Sequence, residues 1–449
     1  MRQRLTTVDL GRWVDPAEAW AALCEGHPAA FWLDSGPSAT TGMSYLGVAS
    51  ALTTEFDGPV LEWLRDQQRD VDTSSAPDGF RLGWVGWLGY ELRSETMSTP
   101  RTRQSRYPDS AWLRIDRCLA FDHATRTVAV YALEGALDSA VDSAAEYRDE
   151  VLAALATVGE LPAPRQAEPG GEALWAYDDE TYLEMIRACQ AAIREGDAYQ
   201  LCLTTEARVE MSPDPFATYR ALRAASPTHH GALVVAGGVA LLSASPEQFL
   251  SVTPDGVVTT SPIKGTRPRG ATAEADDSLR VELEASDKER AENLMIVDLM
   301  RNDLARISRV GSVDVTSLLA VESYAQVHQL VSTVRGLLAD GLTAIDAVGA
   351  CFPAGSMTGA PKRSATLILD ELEQRPRGLY AGAFGYLGFD GALDLAMVIR
   401  SIVIDEHGST VGTGGGITAL SLPDEELAEA RLKAKALLAV LGVRDTSRT

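Results

Sequence analysis

The chain has 449 residues, enough for roughly two to three domains with a large core. Its formal charge of -23 is spread along the whole length without a basic run, which argues against nucleic acid or an anionic membrane as partner. A small anionic substrate is still allowed, because it needs only a local positive pocket. The five cysteines (24, 118, 189, 202, 351) form no C-x-x-C pair and sit mostly in apolar runs, as expected of reduced core thiols in a cytoplasmic protein. Met1-Arg2-Gln3-Arg4 leads into mixed sequence, so neither a signal peptide nor a membrane span is expected.

From the N-terminus, Phe31-Trp32-Leu33 and Gly83-Trp84-Val85-Gly86-Trp87-Leu88-Gly89-Tyr90 read as short strands. Glycines alternating with large aromatics predict a backbone closely approached by another layer. Asp138 to Val158 reads as an Ala-rich helix. A Pro/Gly-dense seam then divides the chain into an N-terminal region 1–160, a linker 161–171 and a region 172–445. Asp179 to Glu195 is amphipathic and ends at Gly196. Leu233 to Leu242, interrupted by Gly237-Gly238, reads as a hairpin, as do Gly382–Phe389 and Leu393–Ile404 around Asp390-Gly391. Helices are predicted over 279–305, 343–351, 361–374 and 423–441. Hairpins and helices mixed without βαβ alternation predict an α+β fold, with antiparallel sheets packed together and helices outside.

Lys264 stands out within Pro262-Ile263-Lys264-Gly265-Thr266-Arg267, because the chain has only five lysines and otherwise uses arginine. An amine, unlike a guanidinium, can lose its proton and act as nucleophile or base. An ordinary salt-bridging lysine in a turn is the other reading. Two helices carry glutamates three apart, Glu289 with Glu292 and Glu426 with Glu429, which puts each pair on one helix face. Facing one another, the four carboxylates would suit Mg²⁺; otherwise they are solvated helix faces. Asn302 and Asp303 read as capping and salt-bridge residues. Gly412-Thr413-Gly414-Gly415-Gly416 reads as a glycine-rich turn after a strand, whose N–H groups could hold a carboxylate or phosphate. Arg400, at the middle of an apolar strand, requires an anion, either an internal Asp or a ligand carboxylate. Motifs of serine hydrolases and zinc enzymes are absent.

Several ordered segments together resemble the chorismate-utilising enzymes, and among them aminodeoxychorismate synthase component I. They are Ser245-Pro246-Glu247, Pro262 to Gly270, Lys288 to Leu299, Phe352-Pro353-Ala354-Gly355-Ser356-Met357-Thr358-Gly359-Ala360-Pro361-Lys362, and Gly414-Gly415-Gly416-Ile417. Leu33-Asp34-Ser35, Tyr45-Leu46-Gly47 and Gly86 to Glu91 resemble the N-terminal part of that family. The resemblance implies an anthranilate synthase component I-like fold. Lys264 favours aminodeoxychorismate formation, since anthranilate synthases typically carry Ala there. Gln200 favours amination over hydration, since isochorismate and salicylate synthases place Lys there.

The resemblance further implies that Glu292 and Glu429, supported by Glu289 and Glu426, hold Mg²⁺ at the ring carboxylate of chorismate. Arg400, Tyr380 and the N–H groups near Gly414, Gly415 and Gly416 would hold the enolpyruvyl carboxylate, with Lys433 nearby. Gln200, Gln329, Ser356 and Thr266 complete the expected substrate-binding set. Lys264 would attack ring C2 while Glu247 protonates the departing C4 hydroxyl, and ammonia would then displace the lysine. No glutaminase motif is seen in the chain, so a separate glutamine amidotransferase subunit, or free ammonia, is the expected source. Gln329 occupies a position where the family usually has His, and the adjacent His328 is expected to point elsewhere. Ser35 and Tyr45 match the region where relatives hold tryptophan, but His229-His230-Gly231 departs from the pattern, and tryptophan feedback is not expected. Two other readings are open: anthranilate or aminodeoxyisochorismate synthesis, and an inactive scaffold for the amidotransferase.

Overall fold

Every residue of the strand Val239–Ser245 is buried, which requires cover on both faces. Successive side chains point to opposite faces of a strand, and here the two faces enter different cores. Leu241 joins a large apolar cluster shared with Leu250 and Leu395, and Leu242 joins a second cluster with Trp20, Tyr219 and Leu437. The strand Ala29–Asp34 divides in the same way, Phe31 to the first core and Trp32 to the second. Each fully buried side chain of this kind stabilises the fold by about 1.5–3 kcal/mol.

The computed structural model describes residues 3–69, 71–134, 143–165, 171–324 and 327–443. Among the described residues, two sheets, of thirteen and ten strands, enclose the first core. Helices cover the outer face of the larger sheet. The named strand pairs are antiparallel except Gln3–Asp9 beside Val71–Asp72. This is the α+β arrangement expected from the sequence. Both sheets take strands from either side of residues 161–171: Ala29–Asp34 pairs with His230–Ala236, and Gly83–Leu88 pairs with Ala383–Gly388. Of that seam, residues 166–170 lie outside the described residues.

The helix Asp179–Glu195 runs between an Asp178 cap and a left-handed Gly196, as its sequence requires. The expected helix at 138–158 is described from its Ser143 cap onward, as Ala144–Leu155; residues 135–142 lie outside the described residues. The hairpin across Gly237-Gly238 forms between His230–Ala236 and Val239–Ser245.

Three expectations are corrected. The helix predicted over 279–305 is two helices, Ala273–Ala285 and Asp287–Ala305, because Ser286 is extended and its hydroxyl accepts from Glu289 N, starting a new helix. The strand predicted over Leu393–Ile404 is also two, Leu393–Met397 in the smaller sheet and Ser401–Asp405 in the larger. Arg400 therefore stands at a crossing between sheets, with a left-handed φ of 50°, and not mid-strand. The close approach at Gly86 comes from its own sheet: a Cβ there would lie 1.9 Å from the Ala111 carbonyl oxygen of the paired strand.

Candidate active site

The chain passes between the two sheets at two neighbouring points. Val239–Ser245 of the larger sheet leads through Pro246-Glu247 into Gln248–Val252 of the smaller, and Leu393–Met397 returns through Val398–Arg400 to Ser401–Asp405. The two crossings are tied by Met397 N to Glu247 O (3.0 Å), Ala244 N to Arg400 O (3.1 Å) and Ser401 Oγ to Ser243 Oγ (2.8 Å). Beside them lies a cavity of about 450 Å³ lined by both Glu247 and Arg400.

Lys264 reaches the same cavity from the strand Ile263–Pro268. That strand bulges between Lys264 and Thr266, where Gly265 adopts φ 80°. Glycine is required twice over, since a Cβ would also meet Leu283 at 2.8 Å and Glu289 at 3.0 Å. The bulge thus lets the glutamate helix approach the lysine strand. Thr266 and Gln329, paired across the same two strands, both line the cavity. His328 points the other way, as alternation demands, with its ring between Asp276 (3.0 Å) and Ser323 (2.8 Å).

Glu247 is buried with 7% of its surface exposed, and its carboxyl is pushed up to about 7. Burial is the main cause, opposed by the charge of Lys264 and a hydrogen bond with Ser356. A carboxylic acid that keeps its proton near neutrality can deliver it to a leaving group. Arg400 has no ion-pair partner among the described residues; its guanidinium reaches only the Lys433 carbonyl, at 3.5 Å. Burial lowers its pKa, with Tyr380 and Glu429 opposing. Of the two partners anticipated, an internal Asp is not found among the described residues.

The glycine run is not a turn. Gly412 to Gly416 lie within the strand Gly408–Ile417, paired with Gln200–Val209. Gly414 O accepts from Lys433 Nζ (3.0 Å), so the main-chain groups of Gly414, and by alternation those of Gly416, face away from the paired strand. Gly415 is turned into the ladder. Each glycine instead makes room: a Cβ on Gly412 would lie 2.1 Å from Tyr380 Cγ, one on Gly415 3.1 Å from Glu426 Oε2, and one on Gly416 2.2 Å from Gln200 Nε2 and 3.7 Å from Lys264 Nζ. Gln200 is 1% exposed, and neither its amide nitrogen nor its oxygen has a protein partner. The amide lies behind Gly416, outside the cavity lining.

The four glutamates line one wall, from helices Asp287–Ala305 and Pro423–Val440. Glu292 is mostly buried and faces Lys264; burial raises its pKa, against that ammonium. Glu429 is pulled below the ordinary carboxylate range: burial opposes this, but Lys433 at 2.6 Å, with Lys288 and Lys264, overcomes it. Glu426 accepts from Ser421 Oγ (2.7 Å) and lies 3.5 Å from Lys288 Nζ, while Glu289 lies 3.6 Å from Arg267. Among the described residues, no three acidic, histidine or cysteine side chains are gathered tightly enough to hold a metal ion. The donor set nevertheless fits Mg²⁺ chemically, being four carboxylate groups from two helices on one cavity wall.

The structure thus brings Lys264, Glu247, Arg400, Tyr380, Gly414, Gly415, Gly416, Lys433, Gln329, Ser356, Thr266 and the four glutamates to one cavity, with Gln200 just behind Gly416. Sequence reading assigned no role to Lys288, Arg267 or Leu432, which also line it. Lys288 had a signal, as one of five lysines and the neighbour of Glu289. Asn302 and Asp303 stay outside the lining; Asp303 pairs with Lys362 at 2.5 Å and Arg306 at 3.2 Å. Ser35, Tyr45 and His229-His230-Gly231 surround a separate cavity of about 280 Å³. The five cysteines are buried and unpaired, and no helix among the described residues is long and apolar enough to cross a membrane.

Comparison with known proteins gives the family and the fold. The profile of the chorismate binding enzyme family matches residues 28–439. Aminodeoxychorismate synthase of Streptomyces pristinaespiralis is 39% identical over 95% of this chain, and that of Streptomyces griseus 42% identical over 92%. The chain spans 64% and 61% of the lengths of those two relatives. Among solved structures, anthranilate synthase component I from Streptococcus pneumoniae superposes with a TM-score of 0.76 at 30% identity, covering 96% of this chain and 98% of that one.

Proposed function

This chain belongs to the family of chorismate binding enzymes, and we propose that it aminates chorismate to 4-amino-4-deoxychorismate. One observation carries the reading: Lys264 and a buried, proton-holding Glu247 line the same cavity. Lys264, reacting as its free amine, attacks ring C2 while Glu247 gives its proton to the C4 hydroxyl, which leaves as water. The lysine nitrogen then carries the positive charge and Glu247 is a carboxylate. Ammonia attacks C4, the bond from C2 to the lysine breaks, and the surplus proton on the new amine returns to Glu247. The sum is exchange of a hydroxyl for an amine with release of water.

Arg400 and the outward N–H groups of Gly414 and Gly416 hold the enolpyruvyl carboxylate, beside Tyr380. Gln200, behind Gly416, supplies no amine base to activate water, which favours amination over hydration. With Glu247 protonated and Lys264 a free amine, four charged acids (Glu289, Glu292, Glu426, Glu429) and four charged bases (Arg267, Lys288, Arg400, Lys433) line the cavity, so it is neutral by formal count. A dianion such as chorismate therefore enters in charge balance only with a divalent cation. Bound Mg²⁺, on the four glutamates, would supply a positive centre for the ring carboxylate. A glutamine amidotransferase is the proposed ammonia source.

The test is to incubate the purified chain with chorismate, Mg²⁺ and an ammonium salt and to identify the product by mass and proton NMR. An aminated, enolpyruvyl-bearing diene with nitrogen at C4 supports the reading. Fluorescent anthranilate, nitrogen at C2, or no turnover would refute it. Glutamine should replace the ammonium salt only when an amidotransferase is added.

A further inference from the structure

We propose that Lys288 is a tethered cation that holds the acidic wall of the cavity together and gives way when a divalent ion takes the same carboxylates. The inference rests on the Mg²⁺ reading and extends it to a residue that the amination chemistry does not use.

Three of the chain's five lysines (264, 288 and 433) line this one cavity. Their attachments differ. Lys433 is pinned by Glu429 at 2.6 Å and by the Gly414 carbonyl at 3.0 Å. Lys288 makes one long contact, 3.5 Å to Glu426, with 53% of its side chain in solvent against 4% for Glu426. Its charge nonetheless bears on Glu426, Glu292, Glu429 and Glu289 together. A cation near the start of a helix opposes the helix dipole, so helix stability does not account for Lys288 at the second residue of Asp287–Ala305. What does account for it is the mutual repulsion of four carboxylates, two of them nearly buried. Its half-solvated four-carbon stem lets the ammonium withdraw into water without moving the helix. The position matches what a displaceable counter-ion needs: close enough to neutralise, attached too loosely to compete for long.

The test compares wild type, Lys288→Met and, as a same-charge control on the same helix, Arg301→Met. Mg²⁺ binding is read by calorimetry and thermal unfolding is followed with and without Mg²⁺, all without substrate. Lys288→Met should bind Mg²⁺ roughly three- to thirtyfold tighter, because the competing charge is gone. It should melt lower than wild type without metal, and saturating Mg²⁺ should close that gap. Lys288→Gln, measured alongside, should behave the same way and guards against misfolding of the methionine variant. Unchanged Mg²⁺ affinity in both Lys288 variants, equal tightening in Arg301→Met, or a gap that persists at saturation overturns the proposal while leaving the Mg²⁺ reading standing. Absence of Mg²⁺ binding in all proteins overturns both.

Discussion

Glu247 and Lys264 meet in one cavity with opposed effects on a single proton. Burial raises the Glu247 carboxyl to about 7, and the Lys264 charge is the first force pulling it back. The chemistry proposed here needs that acid to hold its proton until the hydroxyl departs. The dependence of kcat/KM on pH should therefore show a descending limb near 7, measured with chorismate and saturating ammonia. In Lys264→Met the opposing charge is gone, so the Glu247 titration, followed by carboxyl NMR or infrared difference spectra, should move upward. A downward move would contradict the electrostatic account.

Glu247→Gln separates catalysis from stability. Loss of the acid should lower kcat by about 10²–10⁴-fold. The folded pKa of this group lies above its ordinary 4.5, so the native state binds the proton more tightly than the unfolded chain. Its contribution is full below the unfolded value and is lost as pH rises from about 4.5 to about 7. The glutamine variant, which has no charge to bury, should be more stable than wild type at pH 8 by up to about 3 kcal/mol. Urea unfolding at pH 4 and pH 8 reads the difference, which should nearly vanish at the lower pH, below the ordinary value of 4.5.

Lys264→Ala should abolish amination while leaving chorismate binding within a few-fold of wild type. Wild-type enzyme quenched during turnover should carry a chorismate-derived mass on the peptide containing Lys264, and the alanine variant should not. Unchanged product and rate in Lys264→Ala would end the covalent role.

Arg400 has no ion-pair partner among the described residues, so its loss should fall on the substrate. Arg400→Met should raise KM for chorismate by roughly 10–100-fold, the worth of a charged hydrogen bond, with a smaller change in kcat. Arg400→Gly should lose affinity equally. It should be more stable than the methionine variant by about 1 kcal/mol, because glycine adopts φ 50° without strain.

Behind the cavity, Arg377 and Glu373 form an almost fully buried pair at 2.8 Å. Arg377 also donates to the carbonyls of Met357 and Cys202, two residues of the cavity lining. Arg377→Met leaves Glu373 buried without its partner and should cost about 3–5 kcal/mol in urea unfolding. Gly412→Ala tests the other support, because its methyl would strike Tyr380 at 2.1 Å. A loss of about 1–3 kcal/mol and a higher KM are expected.

Local chemistry along the chain settled much of this protein. The Asp178 cap and Gly196 stop define a helix without outside help, and Gly237-Gly238 defines a hairpin, because capping and turn geometry involve only neighbouring residues. The spacing of Glu289 with Glu292 and of Glu426 with Glu429 placed each pair on one helix face, and alternation sent Gln329 inward and His328 away. What the sequence left undecided depends on residues far apart in the chain. Whether Leu393–Ile404 was one strand or two turned on which sheet each half could pair with, and that partnership is not encoded within the segment. The glycine run reads as a turn by composition. It is a strand because Tyr380, Gln200 and Glu426 press on it from three other segments, leaving no room for side chains. The proton held by Glu247 and the loose seat of Lys288 likewise arise only when burial and opposing charges from separate segments converge. Electrostatic free energy depends on distance through space, and tertiary structure alone fixes that distance.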